Sequence, residues 1–162
     1  MHQVRPLFRD RAGFTLLEIL VVVIVLGILA AVVTPRFTNA QSEARGSALQ
    51  AAVGGVRSGL AAYRTRATIA GIEPFPTLEE LVSPGVVTQS ELPVNPYNGL
   101  RTVQSVTLSQ ALARSVSGEE SFGWNYFVDN ATDPPVAIFY ANSSAKTGII
   151  ASDGVERTAN EL

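Results

Sequence analysis

The chain contains no cysteine, so disulfides, thiolate metal sites and cysteine nucleophiles are excluded. A domain exported from the cell would have to hold together by packing alone. Histidine occurs once, at His2, which leaves the rest of the chain without imidazole for acid–base work or metal ligation. Lysine also occurs once, at Lys146, and no basic run follows residue 13. Phosphate contacts need clustered Lys and Arg, so no nucleic acid is expected as a partner. No Gly-rich phosphate loop of the required spacing appears, and no Ser stands near a base in a recognisable pattern. Asp129, Asp133, Asp153 and Glu156 are scattered acids in expected loops. The thiol is missing throughout and the imidazole beyond His2, which disfavours an enzyme.

What is present is a long apolar run. Arg5, Arg9 and Arg11 precede Phe14 together with one acid, Asp10; the remainder carries nine basic and 13 acidic side chains. From Phe14 to Val33 the sequence is apolar over 20 residues, interrupted by a single charge, Glu18. A helix of that length spans roughly 30 Å, the thickness of a bilayer core. The basic start keeps the N-terminus cytoplasmic and sends the rest across the membrane. The run exceeds the core of about 7–15 residues of a secretory signal peptide, and no small-x-small cleavage site stands out after it. A plain anchor fits the length but leaves Glu18 unexplained. An ionised carboxylate at the edge of a membrane helix costs several kcal/mol unless it is paired.

Gly13-Phe14-Thr15-Leu16-Leu17-Glu18, followed by this uncharged run, resembles the class III signal of type IV pilins and type II secretion pseudopilins. The resemblance implies that a membrane aspartic protease, the prepilin peptidase, cuts between Gly13 and Phe14 on the cytoplasmic side and removes His2 with the leader. It implies N-methylation of the new Phe14 amine and an assembly role for Glu18, one helical turn from that amine. Pairing of Glu18 with the amine of its own chain or of an adjacent subunit would offset desolvation of both charges. In the family a matching Gly and Pro flank a helical segment that extends in the filament. That role carries over to Gly27 and Pro35, where the helix is weakest on physical grounds as well.

Past Pro35 an apolar stripe recurs at Phe37, Ala40, Ala44, Ala48, Ala52, Val56, Leu60 and Tyr63, which predicts an amphipathic helix to about Arg66–Ala70, stopping near Gly71. Gly46, Gly54, Gly55 and Gly59 permit close approach of another helix or a sheet. Thr77-Leu-Glu-Glu80 is a capping box and predicts a short helix over Thr77–Val82. The loop Leu92-Pro-Val-Asn-Pro-Tyr-Asn-Gly99 resembles the element preceding the sheet in major pseudopilins, with Asn95 where Asp is common and Tyr97 where Trp is common. Phe122–Val128 and Val136–Ala141 read as strands about an Asp133-Pro-Pro135 turn. Arg101–Leu108 alternates imperfectly, Ser109–Ser115 reads as loop or helical turn, and Gly148–Ala151 as a last short strand before a frayed end.

The expected fold is α+β and pilin-like: a long N-terminal helix, its first half transmembrane, packed against a small antiparallel sheet of three to four strands. The expected segments are 1–13 as leader, 14–34 as transmembrane and filament-core helix, 35–70 as its amphipathic continuation, and 71–162 as loop and sheet of a periplasmic head. The resemblance implies a structural subunit, not an enzyme, held in the inner membrane and then in a filament. Its partners would be further copies of itself, the prepilin peptidase, an inner-membrane assembly platform and membrane lipid. A pseudopilin supporting protein export is favoured over a type IV pilin of a surface fibre; a membrane-anchored binding or enzymatic domain is the reading from another class. No cofactor is expected. Calcium occurs in the C-terminal loops of major pseudopilins, but without an Asp-rich run a solvated loop is the better reading here.

Overall fold

The computed structural model describes residues 13–118 and 121–162, apart from the side chains of residues 34–39. The basic leader, with His2, Arg5, Arg9 and Arg11, lies outside the described residues. The chain divides into two compact units, Met1–Thr38 and Asn39–Leu162. Helix α1 (Leu16–Ala70) contributes to both.

In the first unit α1 begins behind Thr15. The Thr15 hydroxyl accepts a hydrogen bond from the Glu18 backbone N–H at 3.2 Å, which satisfies one of the free donors of the first turn. From Leu16 to Val33 the helix has a mean hydropathy of 3.2 and every side chain is exposed. The helical assignment runs without a break through Gly27 and Pro35.

In the second unit the C-terminal part of α1 supplies one wall of the core. The buried positions are Gly46, Leu49, Val53, Val56, Leu60, Tyr63 and Ala67, spaced three and four apart. This corrects the expected stripe. Ala40, Ala44 and Ala48 are exposed, because Leu49 and Val53 bury far more apolar area than the alanines beside them. Close approach is confirmed at two of the four glycines. A Cβ at Gly46 would collide with the carbonyl of Thr147, and one at Gly59 with the carbonyl of Val87, whereas Gly54 and Gly55 face open space.

Helix α1 ends at Ala70, and α2 (Leu78–Val82) opens on the expected capping box. The Thr77 hydroxyl accepts from the Glu80 N–H, and the Glu80 carboxylate accepts from the Thr77 N–H at 2.8 Å. Then follow β1 (Val103–Ser105), α3 (Leu108–Leu112), β2 (Trp124–Asp129), β3 (Val136–Ala141), β4 (Lys146–Ile150) and β5 (Glu156–Thr158). The strands form two sheets. In the first, β2 pairs antiparallel with β3, with Trp124 opposite Ala141 and Asp129 opposite Val136. β1 lies parallel to β2, from Val103 opposite Trp124. That pairing departs from the expected all-antiparallel sheet: α3 and the following loop carry the chain back between β1 and β2, as a parallel crossover requires. The second sheet pairs β4 with β5, so the expected frayed end is a strand followed by a 3-10 turn, Ala159–Glu161, whose Ala159 is fully buried.

Trp124 and Phe139 stack at the centre of the core, ring centroids 5.1 Å apart. Around them pack Leu49, Val53, Val56, Leu60, Leu81 and Leu92. The polar tips of the aromatics tie loops to the sheet. Trp124 Nε1 donates to the Pro93 carbonyl at 2.9 Å, and Tyr126 Oη donates to the Pro76 carbonyl at 2.8 Å.

Candidate functional site

Of the residues singled out in the sequence, Gly13, Phe14 and Glu18 lie together at the start of α1. Gly13, Phe14 and Thr15 precede the helix and are non-helical and exposed. A protease can reach the Gly13–Phe14 bond without unwinding α1. Glu18 stands in the third position of the helix, where the partial positive charge of the N-terminus favours a carboxylate. Thr15-Leu-Leu-Glu18 has the spacing of a capping box, and the Thr15 half of that box is made. This local role went unread in the sequence, although the pattern was there to see. Gly27 is exposed on α1, where an added Cβ would meet open space, and the side chain of Pro35 lies outside the described residues.

Magnitudes decide what the segment does in lipid. Leu16–Val33 contains fourteen Leu, Ile and Val residues. At about −0.3 to −0.6 kcal/mol each in mid-bilayer, they outweigh the roughly 3 kcal/mol that a charge costs there, and Glu18 sits near the end rather than at the centre. The helix suits a membrane, and its exposed apolar side chains demand cover of some kind.

Residues 8–34 match the family described as the prokaryotic N-terminal methylation motif. The N-terminus is of prepilin type. A stretch of 56 residues is 38% identical to the type II secretion system core protein G of Pseudomonas aeruginosa, covering 35% of this chain and 39% of that protein. Both similarities support the pilin and pseudopilin family. The chain thus spans well under half of the curated relative that it matches. No solved structure matches it.

The second unit holds a buried amide network that sequence reasoning missed. Asn95, Asn125 and Asn142 are fully buried. Asn142 Nδ2 donates to the carbonyls of Ser117 and Phe122 at 2.8 and 3.0 Å, while its Oδ1 accepts from the Ser117 N–H at 3.1 Å. Asn125 Nδ2 donates to Asn142 Oδ1 at 3.1 Å, and Gln104 Nε2 to Asn125 Oδ1 and to the Ser117 carbonyl, both at 2.7 Å. Asn98 Nδ2 donates to the Phe122 carbonyl, and Asn95 Nδ2 to that of Gly123 at 2.7 Å. Carbonyls on both sides of residues 119 and 120 are therefore held by side-chain amides. Asn95 must donate here, which a carboxylate cannot do. Among the described residues no group of three or more His, Cys, Asp or Glu could hold a metal.

Several clefts lie along the C-terminal part of α1 among the described residues, and two of them hold arginine. The larger, of about 770 Å³, lies between Ala51, Ala52 and Gly55 and the 87–93 loop; its two charged residues, Glu91 and Arg101, pair with each other. The smaller, of about 300 Å³, is lined by Arg57, Arg64 and Arg114 above a floor of Leu60, Phe75 and Ile138. Burial, and then the like charge of Arg114, lower the Arg57 guanidinium from its ordinary value, though it stays a cation at any working pH.

Proposed function

We propose that the chain is a structural subunit of a helical filament of the type II secretion kind, cut after Gly13, methylated at Phe14 and assembled through α1 to support protein export. The carrying observation is a prepilin-type motif that runs directly into an exposed apolar helix. The similarity to a type II secretion system core protein favours a pseudopilin over a surface pilin. On this reading the segments are 1–13 leader, 14–34 membrane and filament-core helix, 35–70 amphipathic continuation and 71–162 periplasmic head. The helix serves twice, first covered by lipid and then by copies of itself. Partners are those copies, the prepilin peptidase and the inner-membrane assembly platform. Glu18 pairs with a Phe14 amine and sets the register of an added subunit. Gly27 to Pro35 is the segment able to extend. The role is structural and needs no catalytic residue.

The same reading assigns no calcium to the head. Chelation with EDTA should then leave the unfolding midpoint of the chain unchanged; a fall would show that a cation is required.

Glu18→Ala tests the assembly role. The variant should enter the membrane normally and yield no sheared filament. Filaments at the wild-type level would show that the Glu18 pairing is not needed.

A further inference from the structure

The cleft between Arg57, Arg64 and Arg114 is unlike the rest of the surface. Among the described residues, the ion pairs between side chains are Arg101–Glu91, Lys146–Glu156 and Arg157–Asp153, and none joins a cleft arginine to an Asp or Glu. No Asp or Glu lines the cleft. Arg64 lies over the Phe75 ring at 5.2 Å and Arg114 over the Tyr140 ring at 5.4 Å. Cation–π contacts of this kind restrain the guanidinium groups before any ligand arrives. Arg57 Nη2 donates to the Phe139 carbonyl at 3.2 Å and to a main-chain oxygen of Leu162, the last residue of the sequence, at 2.7 Å, which ties that side chain to the scaffold and leaves Arg64 and Arg114 as the cations open to a partner. Arg114 Nη1 is buried with no hydrogen-bond partner. That nitrogen is closed to solvent, so an incoming ligand would meet the other guanidinium nitrogens of the cleft.

The backbone gives a second, independent reason. Arg114 has φ 52°, the one left-handed non-glycine among the described residues. It follows the C-cap of α3, where its N–H bonds the Ala111 carbonyl and the Ser115 N–H bonds that of Gln110 at 2.9 Å. This is a Schellman turn, whose left-handed position favours Gly. A side chain there costs about 1–2 kcal/mol, and such strain collects at working sites. The turn retains an arginine at that cost, and the arginine faces a cationic cleft.

We propose that this cleft binds a carboxylate, and that the carboxylate is an acidic side chain of a second copy of the chain. The planar forks suit a carboxylate, and the apolar floor suits the methylenes of its stem. After residue 13 the chain has 13 acids against nine bases, so every copy offers surplus carboxylates to a neighbour. Glu43, Glu79 and Asp133 are exposed and outside any ion pair among the described residues. An open cleft holds a free anion weakly, but neighbours in a filament present theirs at high effective concentration.

The inference rests on the filament reading and is tested apart from it with the full chain. Arg114→Gly removes the guanidinium while relieving the left-handed strain, so the detergent-solubilised variant should melt no lower than the wild type. Combined with Arg64→Gln, it should reduce sheared filament by about tenfold or more. The yield of wild-type filament should also fall more steeply with NaCl than that of the variant, each taken relative to its own yield at low salt. Equal yields with equal salt sensitivity would overturn the inference and leave the filament reading intact. A rise in melting temperature with sodium phosphate but not with sodium succinate would also overturn it, making free phosphate the occupant. Should the wild type form no filament, the filament reading fails on its own. The cleft is then judged by self-association in detergent: dimerisation lost in the double variant sustains it, and a monomer at every concentration overturns it.

Discussion

At Gly59 a single hydrogen decides how closely α1 can approach the 87–93 loop. Gly59→Ala would drive a methyl into the Val87 carbonyl, and backbone cannot swing away as a flexible side chain can. We expect a loss of about 1–3 kcal/mol in denaturant unfolding of the detergent-solubilised chain. Gly54→Ala faces open space on the same helix and should gain about 0.5–1 kcal/mol by helix propensity alone. Opposite signs at two glycines five residues apart are what the packing requires. Asn95→Asp makes a separate test of the amide network. The substitution removes a buried donor from the Gly123 carbonyl and adds a charge facing it, so it should destabilise by roughly 1–3 kcal/mol or more in the same assay.

At the scale of elements, how much could be read depended on whether the signal was local. The end of α1, the capping box at Thr77 and the β2–β3 hairpin follow from propensity, caps and turn residues within a few positions of each other. Thr107-Leu-Ser-Gln110 is a second capping box that starts α3, and the sequence carried its spacing as plainly as the first. Counting apolar residues misplaces the N-terminal half of the stripe on α1 because it ignores their size; Leu49 and Val53 turn the helix, not Ala44 and Ala48. The parallel placement of β1 and the pairing of β5 with β4 depend on partners far along the chain and leave no periodic trace. The arginine cleft unites residues from α1, the turn after α3 and β3. Its members look like ordinary solvated charges until folding brings them together. Thr77→Ala should cost about 1 kcal/mol by removing the cap of α2, with Thr77→Ser retaining most of it.

At the scale of the whole molecule, the absence of disulfides places the burden on aromatic packing and buried hydroxyls. Burial raises the Tyr126 phenol well above its ordinary value, and it raises Tyr140 as well. Each donates its proton to a main-chain carbonyl, Tyr126 to Pro76 and Tyr140 to Ser115. In the unfolded chain these phenols ionise near their ordinary 10.0, whereas in the folded chain they hold their protons to higher pH. The folded state therefore binds more protons above pH 10, and stability must fall as pH rises through that range. Unfolding monitored by near-ultraviolet circular dichroism should show a steep alkaline loss. Tyr140→Phe should flatten it while lowering stability at neutral pH through the lost hydrogen bonds.

The central claim is that the apolar helix becomes an assembly element once its leader is removed. The most direct measurement is the intact mass and N-terminal sequence of the protein extracted from the membranes of a host that carries a prepilin peptidase. The account predicts a chain starting at Phe14 and bearing one methyl group on its amine. A chain that retains Met1 to Gly13 in the presence of active peptidase would contradict it.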